Sequence, residues 1–102
     1  MPRDAPYPTR ERNRDREFVT RQIADETIIV PVAGGVGDLN AIYTLNEVGS
    51  RIWQLIDGPT TVERIVEEIC RQFDVSPAQA ERDVVEFLDA LEGAGLIRSA
   101  GR

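Results

Sequence analysis

Ala41-Ile42-Tyr43-Thr44-Leu45-Asn46-Glu47-Val48-Gly49 is the stretch on which the fold turns. Up to Leu45 the residues alternate, with Ala41, Tyr43 and Leu45 on one face and Ile42 and Thr44 on the other, the two-residue period of a strand. From Asn46 the apolar period lengthens to that of a helix. Asn46 is a good N-cap, because its side-chain oxygen can accept from a free amide of the first turn. The helix is expected from Glu47 to Asp57, with Val48, Ile52, Leu55 and Ile56 facing inward. Gly58-Pro59 stops it. Trp53 sits at the edge of this inward stripe, and Tyr43 reads as a core residue.

Before this stretch the period is short. Phe18 to Ile23 reads as a first strand. Thr27 to Val32 reads as a second, with Ile28, Val30 and Val32 on one face as in a half-buried strand. Pro31 cannot donate a ladder hydrogen bond, so it belongs at a strand end or facing an unpaired side. The glycines of Ala33-Gly34-Gly35-Val36-Gly37-Asp38 mark a loop, and a loop of this length joins antiparallel neighbours. Ala41 to Leu45 is then the third strand of an antiparallel sheet.

After Pro59 two more helices follow. Thr60 is the expected cap of the second, with Glu63 completing a capping box. Val62, Ile65, Val66, Ile69 and Phe73 recur at three- and four-residue spacing and form its apolar stripe. Ser76 caps the third helix, with Pro77 at its first position, where no amide is needed. Ala80, Val84, Phe87, Leu88 and Leu91 form its buried stripe. Gly93 or Gly95 ends it, and Leu96-Ile97 folds back onto the core. Three short strands followed by three helices make an α+β domain, helices packed on one face of a small antiparallel sheet. Three helices beside a sheet also suggest a winged helix-turn-helix-like arrangement.

Residues 1–17, MPRDAPYPTRERNRDRE, hold three prolines, charges of both signs and little that is apolar. Such a segment buries too little surface to offset its ordering entropy, and it reads as a disordered N-terminal arm. The domain proper is then 18–102. A chain of 102 residues accommodates one core. No apolar run approaches the roughly 20 residues of a membrane helix. The N-terminus lacks a basic-then-apolar signal, and Cys70, the one cysteine, cannot close an internal disulfide. Both features point to the cytoplasm.

The charges narrow the function. Net charge is −6, and nucleic-acid binding draws much of its affinity from cations that neutralise phosphates. An acidic domain without a basic stripe is poorly suited to that work. Histidine is absent, which removes the commonest general base and the commonest nitrogen ligand for a metal. Cys70 lies on the flank of an apolar stripe with no base near it in sequence. The carboxylates Glu63, Glu67, Glu68, Glu81, Asp83, Glu86, Asp89 and Glu92 occupy outer helix faces, where solvation and pairing such as Glu67 with Arg71 account for them. Gly35-Val36-Gly37 leads into a strand and not a helix, so it is no phosphate-binding loop. These residues predict a binding domain without catalytic residues, metal or cofactor.

The run Tyr43-Thr44-Leu45-Asn46-Glu47-Val48-Gly49, followed by Ile52, Leu55, Asp57-Gly58, Thr61-Val62, Ile65-Val66 and the closing Phe87-Leu88, Leu91 and Gly95-Leu96-Ile97, resembles the PqqD family, the coenzyme pyrroloquinoline quinone synthesis protein D group. The resemblance covers residues 18–98. It implies a peptide chaperone with a winged-helix-like precursor-peptide recognition element of three strands and three helices. Such a domain binds the leader of a ribosomally made precursor peptide and presents it to a modifying enzyme, often a radical S-adenosylmethionine enzyme. In the family the leader adds beside the third strand and packs against the third helix.

Carried to this chain, the physical basis is β-augmentation, in which an open strand edge offers amides and carbonyls to an extended peptide and side-chain pockets supply specificity. Ala41, Ile42, Tyr43, Thr44 and Leu45 supply the edge. Arg82, Val85 and Asp89 follow one another on one flank of the third helix and supply the wall. Val85 is the informative residue, being apolar and about 100° from the centre of the buried stripe. The negative surface favours basic leader residues. The alternatives are a winged-helix DNA-binding domain and a protein–protein adaptor. Short strands can be exchanged between copies, which leaves a homodimer open.

Overall fold

A computed structural model of the chain describes residues 9–13, 17–33, 36–37 and 42–100. The sheet is built on a hairpin. Strand β2 (Phe18–Ile23) pairs antiparallel with β3 (Glu26–Ala33) from Phe18↔Pro31 to Ile23↔Glu26. Only Ala24 and Asp25 separate the strands, and Ala24 takes the turn at φ 55°. On the other side of β3 lie the two-residue strand β4 (Val36–Gly37) and β5 (Tyr43–Leu45), which pairs from Thr27↔Leu45 to Ile29↔Tyr43. β3 is therefore the central strand. The expected loop over Ala33–Asp38 is corrected in part, because Ala33 and Val36 face each other in register and the chain returns at once along β3. Residues 34, 35 and 38–41 lie outside the described set.

The buried face of β3 is Thr27, Ile29 and Pro31, not the expected set of Ile28, Val30 and Val32, which is half-buried on the other face. A two-residue period divides a strand into faces without saying which one meets the helices. Thr27 can occupy the inner face because its hydroxyl has a partner there, donating to Oγ of Ser50 at 2.7 Å.

The alternation of backbone groups along β3 is fixed by one bond. Val32 N donates to Glu17 O at 2.9 Å. In an antiparallel ladder the amide and carbonyl of one residue point to the same neighbour and alternate residues point the opposite way. Glu26, Ile28, Val30 and Val32 therefore bond toward β2, and Thr27 and Ile29 bond toward β5. Pro31 falls on the β5 side with no amide to give, and the β3–β5 ladder ends two residues before it, at Ile29↔Tyr43.

The helices follow in the expected order. α1 (Glu47–Leu55) begins at Asn46, whose side chain accepts from Gly49 N at 2.8 Å, and is two residues shorter than the sequence suggests. α2 (Val62–Gln72) is capped by Thr61 and not by Thr60. Thr60 is otherwise engaged: its amide and carbonyl both pair with Arg10. α3 (Pro77–Gly93) is capped by Ser76. It ends in a Schellman turn, with Gly95 at φ 81° and bonds from Leu96 N to Leu91 O and from Gly95 N to Glu92 O. Leu96 and Ile97 are buried in the core with Ile29, Ile52, Ile65, Val84 and Leu88. Trp53 is only 2% exposed and belongs to this core outright, whereas Tyr43 is half-buried beside it.

The disordered-arm reading of 1–17 fails at Thr9–Asn13. Thr9–Arg12 forms strand β1, antiparallel to β6 (Ile97–Ala100), which follows α3. Arg10 is 6% exposed and reaches Asp89 (3.4 Å) and Glu92 (3.3 Å) on α3. Arg12 lies over the Trp53 ring at 4.4 Å and donates to the Trp53 carbonyl at 2.7 Å. Pairing along β6 supplies the ordering that the composition of the arm does not. Residues 1–8 and 14–16 lie outside the described set.

Candidate functional site

β5 forms one margin of the sheet. Because Thr27 and Ile29 direct their backbone groups at Leu45 and Tyr43, those two residues spend theirs on β3. Thr44 then directs both its amide and its carbonyl away from the sheet, and among the described residues no strand pairs with that side. Side chains follow the opposite logic. Leu45 is buried and Tyr43 half-buried on the helix face, while Thr44 is exposed on the outer face. Ile42, just before the strand, is 45% exposed.

The margin is held from behind. Ser50 in α1 accepts from Thr27 and donates to the Leu45 carbonyl at 3.3 Å, so two buried hydroxyls tie β3, α1 and β5 together. α3 meets α1 at Gly49, in the first helical turn after β5, where an added Cβ would stand 3.1 Å from the Phe87 ring and 3.3 Å from Oδ1 of Asn46. Glycine in a helix costs about 1 kcal/mol relative to alanine, so its place in the first turn of α1 needs such a reason. That mismatch is the sequence signal that could have singled out Phe87, which the stripe reading assigned only to the core.

The expected site residues divide. Ile42, Tyr43, Thr44 and Leu45 stand together on the margin; Ala41 lies outside the described residues. On α3, Arg82 is exposed, and Val85 is half-buried and packed against the core. Asp89 pairs with Arg10 of β1. Val85 and Phe87 are two residues apart, hence about 200° around the helix. Phe87 marks the flank turned to Gly49 of α1, and Asp89 marks the flank turned to β1. Phe87, a residue the expected set omits, is the α3 side chain that meets α1 in the first turn after β5.

Among the described residues no group of three or more His, Cys, Asp or Glu is arranged to hold a metal ion, and no helix is long and apolar enough to cross a membrane. An open depression of about 410 Å³ between the β2–β3 turn, α1 and the end of α2 is lined by Gln22, Asp25, Glu47, Ser50, Arg51, Gln54, Gln72 and Phe73. Its one cation, Arg51, is engaged by Glu68 and Gln54. Its one hydroxyl, Ser50, is bonded to Thr27 and the Leu45 carbonyl.

Residues 26–97 match the family model described as coenzyme PQQ synthesis protein D. The PqqA binding proteins of Xanthomonas euvesicatoria pv. vesicatoria (strain 85-10) and Xanthomonas axonopodis pv. citri (strain 306) are each 32% identical over 57 residues, 56% of this chain. The match spans 62% of the length of those curated relatives. Among solved structures, TbiB1 in complex with the TbiA(beta) leader peptide superposes with a TM-score of 0.68 at 32% identity, covering 83% of this chain and 93% of that one. The PqqD truncation of Methylobacterium extorquens PqqCD, described as a stand-alone recognition element for ribosomally synthesised and post-translationally modified peptides, superposes at 0.63 with 17% identity over 88% of each chain, a likeness of fold.

Proposed function

The chain belongs to the PqqD family, and from that premise we propose that it is a non-catalytic, cytoplasmic peptide chaperone that takes the leader of a ribosomally made precursor peptide as an added strand on β5 and presents it to a separate modifying enzyme. A radical S-adenosylmethionine enzyme or another peptide-modifying enzyme fills that second role. The observation that carries the reading is the outward amide and carbonyl of Thr44 on a margin left open among the described residues, with the half-buried Phe87 against the first turn of α1 that follows. An extended peptide satisfies those groups without regard to its own sequence. Its alternate side chains then fall toward Tyr43 and Phe87, and these select for apolar residues. The net charge of −6 favours basic residues elsewhere in the leader.

A TbiB1 structure with a leader peptide and relatives named for PqqA binding support peptide binding over the alternatives. A DNA-binding reading has little to work with: α3 carries Arg82 against Glu81, Asp83, Glu86, Asp89 and Glu92.

The test is an NMR titration with the precursor peptide encoded beside the gene. Amide shifts are expected at Ile42–Leu45 and around Phe87, and shifts confined elsewhere would reject the β5 edge. Thr44→Pro removes the outward amide and spares the ladder to β3, so it is expected to abolish binding with the circular dichroism spectrum unchanged. Undiminished affinity in a folded Thr44→Pro protein counts against augmentation.

A further inference from the structure

The sheet has a second margin, and it is the longer one. β2 runs for six residues, Phe18–Ile23, and among the described residues nothing pairs with its outer side. It lies before the family match, which starts at Glu26. Since Val19 and Arg21 spend their backbone groups on Val30 and Ile28, the amides and carbonyls of Phe18, Thr20 and Gln22 point outward. Natural edge strands are usually protected by lysine, proline, a bulge or a cover. β2 reads Phe-Val-Thr-Arg-Gln-Ile, with no lysine, proline or bulge, and its one charged residue is Arg21. Its outer face is apolar as well: Val19 is 47% and Ile23 60% exposed, next to the half-buried Ile28 and Val30.

We propose that β2 is a homodimer interface, pairing antiparallel with β2 of a second copy about a two-fold axis at Val19. Charge selects both the occupant and the register. A two-fold antiparallel ribbon must join outward-facing residues, so its axis passes through one of the residues of β2. An axis at Arg21 sets two guanidinium groups face to face. An axis at Thr20 sets Arg21 against Val19 of the other copy. An axis at Val19 sets Val19 against Val19 and, on either side, Arg21 against Glu17. Glu17 and Arg21 are both exposed on the outer face, and neither has an ion-pair partner among the described residues. These facing positions are the non-hydrogen-bonded ones, where side chains approach most closely.

The resulting sheet is continuous through both copies, with a β5 margin at each outer end. Dimerisation therefore leaves both proposed leader edges free.

Sedimentation equilibrium at high micromolar concentration tests this, read with circular dichroism. The expected mass is twice the 11.4 kDa of one chain. Arg21→Glu turns two attractive pairs into repulsive ones and is expected to weaken the dimer about ten-fold. Glu17→Arg does the same, and the double exchange restores the dimer. Thr20→Pro removes an outward amide only and is expected to give a folded monomer. Val19→Cys in a Cys70→Ser background is expected to cross-link on oxidation, because facing Cα atoms at such a position lie about 4.5 Å apart, within disulfide reach. A monomeric wild type at all concentrations overturns the proposal. So does a dimer that is indifferent to Arg21→Glu, or a double exchange that fails to restore association.

Discussion

Thr27 donates to Ser50 across 2.7 Å, and neither hydroxyl meets solvent. Ser50 passes the chain on to the Leu45 carbonyl, so the pair fixes how β5 leaves the sheet and enters α1. Burying hydroxyls is favourable only when each has a partner.

Ser50→Ala strands the Thr27 donor in the core, and that donor cannot turn to water. The expected loss is about 1–3 kcal/mol, read as a lower urea midpoint at unchanged slope. Thr27→Val combined with Ser50→Ala removes both polar groups and is expected to cost less than the sum of the single changes, the mark of a coupled pair.

The two flanks of α3 make distinct predictions. Phe87 stands against Gly49 at the strand exit, so Phe87→Ala is expected to weaken leader binding about ten-fold or more, by removal of an aromatic contact. Val85, about 200° away, packs against the core as Phe87 does, so both truncations are expected to lower stability, but Val85→Ala with little change in leader affinity. Calorimetric titration with the leader and thermal melts of both variants separate the two. Equal loss of affinity in both would return the groove to the Arg82–Val85–Asp89 flank.

How far the sequence discloses this arrangement depends on how local each feature is. The caps at Asn46 and Ser76 and the turn at Gly95 involve neighbours a few residues apart, and their residue types announce them. The strand-to-helix switch at Leu45–Asn46 is equally plain, and with it most of the margin. The inner face of β3 is less so, because both faces are apolar enough and the choice rests on Ser50, 23 residues from Thr27. Thr60 lost its expected cap to Thr61 for a similar reason, its backbone being claimed by Arg10 from across the chain. Which flank of α3 meets α1 just after β5 required knowing that Gly49 leaves room for Phe87.

Arg10 tests whether the N-terminal arm is an accessory. Its guanidinium is enclosed, but Asp89 and Glu92 remain well exposed, so screening by water keeps the ion pairs modest. Most of the loss in Arg10→Ala should come from packing of the aliphatic stem and from the strand it anchors. A cost of about 1–3 kcal/mol is expected. Removal of residues 1–13 is expected to cost more, since β6 then loses its partner and Trp53 its covering Arg12. A truncated protein with an unchanged melting temperature would show that β1 adds nothing.

Ala24 holds φ 55° in a turn with only Asp25 for company, between the paired ends Ile23 and Glu26. An L-residue with a Cβ pays roughly 1–2 kcal/mol for the left-handed region, and glycine enters it freely. Glycine also has more freedom to lose from the unfolded chain, which offsets part of that gain. The sign still favours substitution, because Ala24 is exposed and its methyl group packs on no core residue. Ala24→Gly is therefore expected to stabilise the hairpin by about 0.5–1 kcal/mol. For a domain of this size 1 kcal/mol corresponds to a melting shift of about 4–8 °C. Leader affinity should not change, since neither turn residue pairs with β5, whose ladder begins at Thr27↔Leu45. A lower melting temperature would mean that the turn takes its positive φ without strain.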